Sequence, residues 1–142
     1  MEKIVKHKLF LTAAGICLSL AILFICLSPG GCGKRPFKDI DGVDILSAKV
    51  ELMPPDVELE IEDREKLAEL LRSVVIYRQD DSYKDYAGQA AVFTLSMRDG
   101  TKVEITEYTP FVIIDGVGYR AKYEPCQALN SYANSLLSQS GE

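Results

Sequence analysis

The sequence of 142 residues predicts an α+β domain, with an antiparallel sheet of about five to six strands and two helices on one face, preceded by one N-terminal membrane segment. Apolar and polar residues alternate in several short segments, as in half-buried strands. Two other segments carry apolar residues at helical spacing, and an uncharged run of 19 residues stands near the start of the chain. Apolar residues recur throughout residues 43–137, which argues against disorder of the whole chain.

The N-terminal region has the composition of a membrane-targeting segment. Residues 1–8 form a basic leader, and residues 9–27 are 19 residues without a charge. A helix of that length is roughly 28 Å long, close to the hydrocarbon thickness of a bilayer, about 30 Å. Cleaved signal peptides usually have an apolar stretch of about 7–15 residues, so this length favours a retained anchor. Residues 9–27 are therefore predicted as a transmembrane or signal segment.

Residues 28–42 are predicted as a flexible spacer, and their first part offers a second way to tether the chain. Residues 28–33 read Ser-Pro-Gly-Gly-Cys-Gly, which resembles a degenerate lipoprotein signal, where small residues precede a cysteine that accepts a lipid. Pro29 departs from the aliphatic or small residue that such signals have three positions before the cysteine. Cys32 is thus a candidate lipidation site, and a lipid anchor there is an alternative to an uncleaved span.

Charge is divided unevenly along the chain. Six of the 16 basic residues but only one of the 21 acidic ones lie in residues 1–38, which gives a net charge of +5 there and −10 over residues 39–142. The basic residues Lys3, Lys6 and Lys8 before a single apolar segment predict that the amino terminus stays inside. The domain is then extracytoplasmic and held at the cell membrane. Its acidity excludes nucleic acid as a partner, because phosphate binding needs a basic face.

The domain is predicted over residues 43–138 and begins with two short strands and a helix. Residues 45–53 and 57–61 alternate apolar and polar side chains, and two prolines between them end the first strand, because proline cannot donate to a ladder. Asp63 is the predicted N-cap of the helix. The apolar positions of this helix are Leu67, Leu70, Leu71, Val74 and Val75. Residues 75–77 lead out as a further candidate strand.

Two hairpins are predicted next, and the hydrophobic pattern selects the turn of each. In the first, a three-residue loop from Arg98 to Gly100 keeps apolar residues opposite one another, whereas a two-residue turn would mix the faces. In the second, a two-residue turn at Asp115 and Gly116 agrees with the pattern. The predicted cross-strand pairs are Leu95 with Val103, Phe93 with Ile105, Ile114 with Val117 and Val112 with Tyr119.

A final helix is predicted to follow the second hairpin. Pro125 is well suited to its first turn, where the missing backbone N–H costs no hydrogen bond. The apolar stripe of this helix is Cys126, Leu129, Ala133, Leu136 and Leu137. Residues 139–142 are predicted as a frayed tail. Both helices are expected to pack on one face of the sheet.

The sequence contains no recognisable catalytic, cofactor-binding or metal-binding motif, so we predict a protein that is not an enzyme and needs no cofactor or metal. The only histidine is His7 in the leader, which removes the commonest general base and zinc ligand from the domain. No serine elbow, phosphate-binding glycine loop or His-Glu-x-x-His motif occurs. The acidic residues between Asp80 and Asp85 lack the spacing of a calcium loop and are interpreted as a solvated loop.

Cys126 is the remaining candidate nucleophile. A helix N-terminus can lower the pKa of a thiol, but the apolar stripe around Cys126 favours a buried, inert side chain. A disulfide between Cys32 and Cys126 is a further alternative outside the cytoplasm. Five tyrosines are candidates for a contact surface, because tyrosine is favoured at interfaces: Tyr83, Tyr86, Tyr108, Tyr119 and Tyr123. Sheet packing is the simpler interpretation for Tyr119.

Residues 111–130 carry a motif that resembles a module common in Gram-positive Firmicutes. The motif residues are Asp115, Gly116, Gly118, Tyr119, Tyr123, Pro125 and Cys126. Residues 80–83 and 86–89 resemble the module too, so the likeness covers roughly residues 43–138. The resemblance implies a small membrane-anchored protein or lipoprotein of unknown function. Similar segments follow the peptidase domain of membrane metallopeptidases that resemble beta-lactam sensors, but this chain has no peptidase motif.

The function predicted from these features is that of a membrane-tethered, non-catalytic extracytoplasmic domain that binds or senses something at the cell envelope. The expected partners are the membrane and a protein, a peptide or a wall component at the cell surface. The alternatives are a lipoprotein with a structural role in the envelope and an enzyme that uses Cys126. A cytoplasmic domain on an inverted anchor is a third arrangement.

Overall fold

The computed structural model describes residues 32–141, which form a sheet of seven strands and two helices. The strands are β1 (Ile45–Met53), β2 (Val57–Glu60), β3 (Ile76–Gln79), β4 (Ala90–Met97), β5 (Lys102–Tyr108), β6 (Phe111–Ile114) and β7 (Val117–Ala121), and the helices are α1 (Arg64–Ser73) and α2 (Tyr123–Ser140). Short 3-10 helices cover Gly42–Asp44 and Ser82–Asp85.

The predicted leader, the predicted membrane segment and the first residues of the predicted spacer, residues 28–31, lie outside the described residues. Within residues 32–141, no helix combines the length and the apolar character that crossing a membrane requires.

The sheet is antiparallel throughout, in the order β2-β1-β4-β5-β6-β7-β3. The α+β class is confirmed, but the sheet has seven strands instead of the five to six expected. The strand that the pattern left ambiguous is β3, which pairs with β7 at one edge, with Ile76 opposite Ala121. Three of its four residues are exposed, so it shows no alternation. Only its backbone pairing with a strand much later in the chain makes it part of the sheet.

Both helices pack on the same face of the sheet, as predicted. The central strands β1 and β4 contribute Ala48, Val50, Leu52, Ala91, Phe93 and Leu95 to this face, and the helices contribute Leu67, Leu71, Cys126, Leu129 and Ala133. Each large apolar side chain that is fully buried stabilises the fold by about 1.5–3 kcal/mol. One continuous core therefore joins the two helices to the central strands.

The predicted helix boundaries are largely confirmed. Asp63 caps α1 by accepting a hydrogen bond from the backbone N–H of Lys66 at 2.9 Å. Helix α2 begins at Tyr123, which places Pro125 in its first turn. It continues through Ser140, so the first residues of the predicted frayed tail are helical. The hydroxyl of Ser140 donates to the backbone oxygen of Leu137 at 2.9 Å and so satisfies one of the last carbonyl groups of the helix.

Both hairpins have the predicted register. The four predicted pairs are Leu95 with Val103, Phe93 with Ile105, Ile114 with Val117 and Val112 with Tyr119, and all four are present. Gly100 has a φ of 87° in the first loop, and Asp115 and Gly116 have φ values of 47° and 84° in the second. Two successive residues of positive φ match the right-handed twist of a tight hairpin.

Residues 34–42 pack on the domain, in contrast to the flexible spacer that the sequence predicts there. The backbone groups of Lys34 and Ile76 exchange hydrogen bonds of 2.7 and 2.8 Å. The guanidinium of Arg35 donates to the backbone oxygen of Arg72 at the end of α1, at 2.6 and 3.0 Å. Phe37 and Ile40 are partly buried against the core. The backbone bridge, the bonds of Arg35 and these two apolar side chains together attach residues 34–42 to the domain.

Candidate functional site

The face of the sheet that is turned away from the helices carries a small aromatic cluster. Phe111 points to this face, because Val112 beside it in β6 points to the helices. The side chain of Phe111 is fully buried. The rings of Tyr83 and Tyr86 cover Phe111, with centroid distances of 6.3 and 5.3 Å. The guanidinium of Arg120 stacks on the same ring at 4.8 Å. The polar segment between β3 and β4 is therefore docked on the sheet and is not a free loop.

Gly118 allows this segment to approach the sheet. A Cβ at residue 118 would lie 2.5 Å from the Cε1 atom of Tyr83 and 2.8 Å from the backbone oxygen of Asp80. The backbone N–H of Asp80 donates to the carbonyl oxygen of Gly118 at 2.9 Å. The carboxylate of Asp80 accepts hydrogen bonds from the hydroxyl and the N–H of Ser82, which lower its pKa. These contacts fix the position of Tyr83 over β7.

An open cleft of about 330 Å³ lies where the segment before β4, the turn between β5 and β6 and the first turns of α2 meet. Its lining includes Tyr86, Tyr108 and Tyr123, together with the polar side chains of Gln89, Thr109, Gln127 and Asn130. Tyr86 and Tyr123 are 55% and 53% exposed. No charged residue of the described chain lines this cleft. We call it the tyrosine cleft.

Glu107 is buried beneath the tyrosine cleft. It stands opposite Ala91 and Val112, on the face of the sheet that carries the apolar core, and it is fully buried. Its carboxyl group accepts hydrogen bonds from the hydroxyl of Thr109 and, at 3.0 Å, from the side-chain amide of Asn130. Burial raises the pKa of Glu107 above its ordinary value, and these hydrogen bonds oppose the shift. Glu107 thereby positions two of the polar groups that line the cleft.

The hydrogen-bond network continues along α2. The side-chain amide of Asn134 donates to the side-chain oxygens of Asn130 and Gln89, both at 3.0 Å. The amide nitrogen of Gln89 donates in turn to the backbone oxygen of Pro54 at 2.9 Å. Within the described residues, no buried side-chain nitrogen or oxygen lacks a partner. These bonds hold the side chains of Gln89, Thr109 and Asn130 in one arrangement on the polar side of the cleft.

Cys126 lies in the core, as the apolar stripe predicts. It is fully buried, and burial, followed by the charge of Glu107, raises the pKa of its thiol to about 12. The thiolate is the nucleophilic form of cysteine, so this environment does not favour the hypothesis of an enzyme that uses Cys126. Cys32 and Cys126 are both free, and Cys32 is exposed.

The structure separates the five tyrosines that the sequence groups as a contact surface. Tyr86, Tyr108 and Tyr123 line the tyrosine cleft. Tyr83 packs on Phe111, and Tyr119 packs against the core, as its position in the sheet predicts.

The motif residues fall into three groups. Asp115 and Gly116 form the hairpin turn, where the carboxylate of Asp115 accepts a hydrogen bond from the N–H of Glu104 at 3.0 Å. Gly118 leaves room for Tyr83 on one face of β7, and Tyr119 packs against the core on the other face. Tyr123, Pro125 and Cys126 share the first turns of α2, where Tyr123 alone of the three lines the cleft. The motif is therefore mainly structural and contributes one residue to the candidate site.

The sequence pattern does not indicate the polar residues of the site, which are Gln89, Glu107, Thr109, Gln127, Asn130 and Asn134. One signal was available, because Glu107 continues the alternation of Val103 and Ile105 in β5 and so occupies a core position. The acidic residues from Asp80 to Asp85 do not gather into a cation site. Within residues 32–141, no group of three or more histidine, cysteine or acidic side chains is placed to hold a metal ion.

Comparison with known proteins finds no matching family model. No curated protein and no solved structure matches the chain either.

Proposed function

We propose that this protein is a membrane-tethered, non-catalytic domain that binds an uncharged glycan of the cell envelope in the tyrosine cleft. The observation that carries the proposal is the lining of the cleft, which combines exposed aromatic rings with amide and hydroxyl groups and, within residues 32–141, contains no charged side chain.

The chemistry of the lining selects the class of ligand. A ligand with a carboxylate, phosphate or ammonium group would find no charged partner among the described residues that line the cleft. Amide and hydroxyl groups donate and accept hydrogen bonds, as the hydroxyl and acetamido groups of a sugar require. The ring faces of Tyr86 and Tyr123 offer apolar surface to the C–H faces of a sugar ring. A neutral wall glycan satisfies all three features.

The tether is part of the proposal and is supported by the sequence. The uncharged residues 9–27 behind a basic leader favour a retained span, with the domain outside the cell. A lipid on Cys32 is the alternative anchor, and Cys32 is exposed at the start of the domain. The intact mass of the protein extracted from membranes separates the two, because an uncleaved chain has a mass of 15.7 kDa. The resemblance to a membrane-anchored module of Firmicutes supports the same location.

Co-sedimentation with purified peptidoglycan sacculi from a Gram-positive bacterium tests the binding. The full-length chain in nonionic detergent should pellet with the sacculi. Tyr86→Ala and Tyr123→Ala should each weaken binding several-fold, since aromatic side chains dominate contact energy. Tyr77→Ala is the matched control, because Tyr77 is also exposed but lies in β3, outside the cleft. This control should bind like the unmodified protein.

Competition identifies which part of the wall is bound. Soluble oligosaccharides of β-1,4-linked N-acetylglucosamine, which carry acetamido and hydroxyl groups but no charge, should release the protein from the sacculi, whereas isolated stem peptides should not. Release by the peptides alone would overturn the glycan as ligand. Failure to pellet, or equal binding by Tyr77→Ala and the two cleft variants, would overturn the cleft as a wall-binding site.

A further inference from the structure

Beyond the tyrosine cleft, we propose that the free edge of β2 is a second binding site, which takes an extended basic peptide segment of a protein partner as an additional strand. The sheet ends at β2, and among residues 32–141 no strand or bridge pairs with its outer edge. At the other end of the sheet, by contrast, Lys34 pairs with Ile76 and covers part of β3. An uncovered edge is a template for strand addition.

The register of β2 shows which backbone groups are free. The N–H of Ile61 donates to the oxygen of Ala48 at 2.9 Å, and Leu59 stands opposite Val50. In an antiparallel ladder the hydrogen-bonded pairs alternate, so Leu59 and Ile61 direct their backbone groups toward β1. The N–H and carbonyl groups of Glu58 and Glu60 therefore face outward. They are available to a further strand.

A groove lies beside this free edge, at Leu59 and Glu60. It has a volume of about 630 Å³ and lies between β2 and the C-terminal half of α2. Leu59, Tyr132 and Leu136 line it as partly buried side chains that pack against the core. A peptide strand placed here would gain backbone hydrogen bonds from β2 and apolar contact from the groove.

Charge selects the occupant. Glu60, Glu62 and Asp63 lie along the groove, and no basic side chain of residues 32–141 lines it. Glu60 and Glu62 form no ion pair within the described residues, whereas Glu58 pairs with Lys49 at 2.6 Å. Lysine or arginine residues of a partner would find complementary charge here. A second copy of this chain would instead bring Glu58 and Glu60 of both copies together, which like-charge repulsion disfavours.

Fluorescence polarisation with a labelled peptide of alternating lysine and valine residues tests the site, using the full-length chain in nonionic detergent. The peptide should bind, and a glutamate-valine peptide of equal length should not. A version of the lysine-valine peptide with every amide N-methylated keeps the charge but cannot form a ladder. Its affinity should fall at least about tenfold, because several backbone hydrogen bonds are lost together.

Two variants of the chain test the same contacts from the other side. Glu60→Pro removes an outward N–H without removing a bond to β1, which is where proline is tolerated in an edge strand. It should bind the peptide about tenfold more weakly than Glu60→Gln, which removes the same charge but keeps the N–H. Glu62→Gln should weaken binding by about two- to fivefold at low salt. Glu69→Gln, an exposed glutamate on α1 that does not line the groove, should have no effect.

The possible outcomes decide the proposal. Equal binding of the N-methylated peptide would overturn strand addition even if Glu60→Pro failed to fold. Equal binding of the glutamate-valine peptide would overturn the charge argument. A dimer on size-exclusion chromatography that Glu60→Pro dissociates would show that a second copy occupies the edge. None of these results bears on the tyrosine cleft, which the wall-binding experiment tests separately.

Discussion

Glu107 is a charged residue at a position that the alternation of β5 assigns to the core. The sequence predicts that the position faces inward, but its partners Thr109 and Asn130 lie in a turn and on a helix that follow later. No local pattern indicates that these groups meet, because their proximity depends on how α2 crosses the sheet. The polar half of the tyrosine cleft could therefore not be predicted, whereas its tyrosines could be proposed from residue type alone.

Replacement of Glu107 by glutamine should change how stability depends on pH. Burial raises the pKa of Glu107 above its ordinary value of 4.5, so the folded state keeps the proton at pH values where the unfolded state has lost it. The free energy of unfolding then falls as the pH rises from about 4.5 through the raised pKa. Glu107→Gln cannot lose a proton and should lack this part of the fall.

Urea unfolding of the full-length chain in nonionic detergent at pH 4 and pH 7 measures this difference. Between the two pH values, the unmodified protein should lose more stability than Glu107→Gln. Glu69→Gln, at an exposed position on α1, should follow the unmodified protein. Parallel pH profiles for the unmodified protein and Glu107→Gln would show that Glu107 has no shifted pKa.

Gly118 is the residue whose substitution tests the docking of the segment between β3 and β4. Gly118→Ala places a Cβ 2.5 Å from the ring of Tyr83, so the segment must move away from the sheet. We expect a loss of about 1–3 kcal/mol in the free energy of unfolding, the usual cost of overpacking. Gly88→Ala is the matched control, because its Cβ would lie 3.6 Å from the nearest atom, the hydroxyl of Tyr108.

The control should change stability by less than about 0.5 kcal/mol. The same urea titration compares the two variants. Equal stability of Gly118→Ala and Gly88→Ala would mean that Tyr83 does not pack on β7 in solution.

At the scale of elements, the hairpins were predictable and the edges of the sheet were not. The register of each hairpin follows from the turn and from residues within the same two strands, such as Leu95 and Val103. The edge strand β3 and the bridge at Lys34 depend on contacts between distant parts of the chain. For the same reason, the sequence predicts a spacer over residues 34–42, although Phe37 and Ile40 are apolar.

The packing of residues 34–42 on the domain can be measured through Phe37. Phe37→Ala removes a partly buried ring from the surface of the core. Complete truncation of a core phenylalanine costs about 3–5 kcal/mol, so a partly buried one should cost about 1–2 kcal/mol. Lys38→Ala is the control, because Lys38 is exposed and makes only a surface ion pair of 3.8 Å with Asp39.

Urea unfolding of the full-length chain should show a lower midpoint for Phe37→Ala and an unchanged midpoint for Lys38→Ala. If both variants unfolded like the unmodified protein, residues 34–42 would be a free spacer in solution, as the sequence alone predicts.

At the scale of the whole molecule, the two proposed surfaces require the same location. A wall glycan is present only outside the membrane, so the tyrosine cleft can meet it only if the domain is extracytoplasmic. Lys3, Lys6 and Lys8 predict that arrangement, but Lys34, Arg35 and Lys38 follow the apolar run and reduce the charge difference across it. Orientation is therefore the property on which the proposed function depends most directly.

Cysteine labelling in intact cells measures this orientation. The starting protein carries Cys17→Ser, Cys26→Ser and Cys32→Ser, so that Cys126 is the one cysteine left in the chain, and it is buried. Tyr77→Cys adds an exposed thiol on β3. A membrane-impermeant maleimide should label Tyr77→Cys in intact cells as fully as after lysis, and it should label Cys126 only after denaturation. Labelling of Tyr77→Cys only after lysis would place the domain in the cytoplasm and exclude a wall glycan as its ligand.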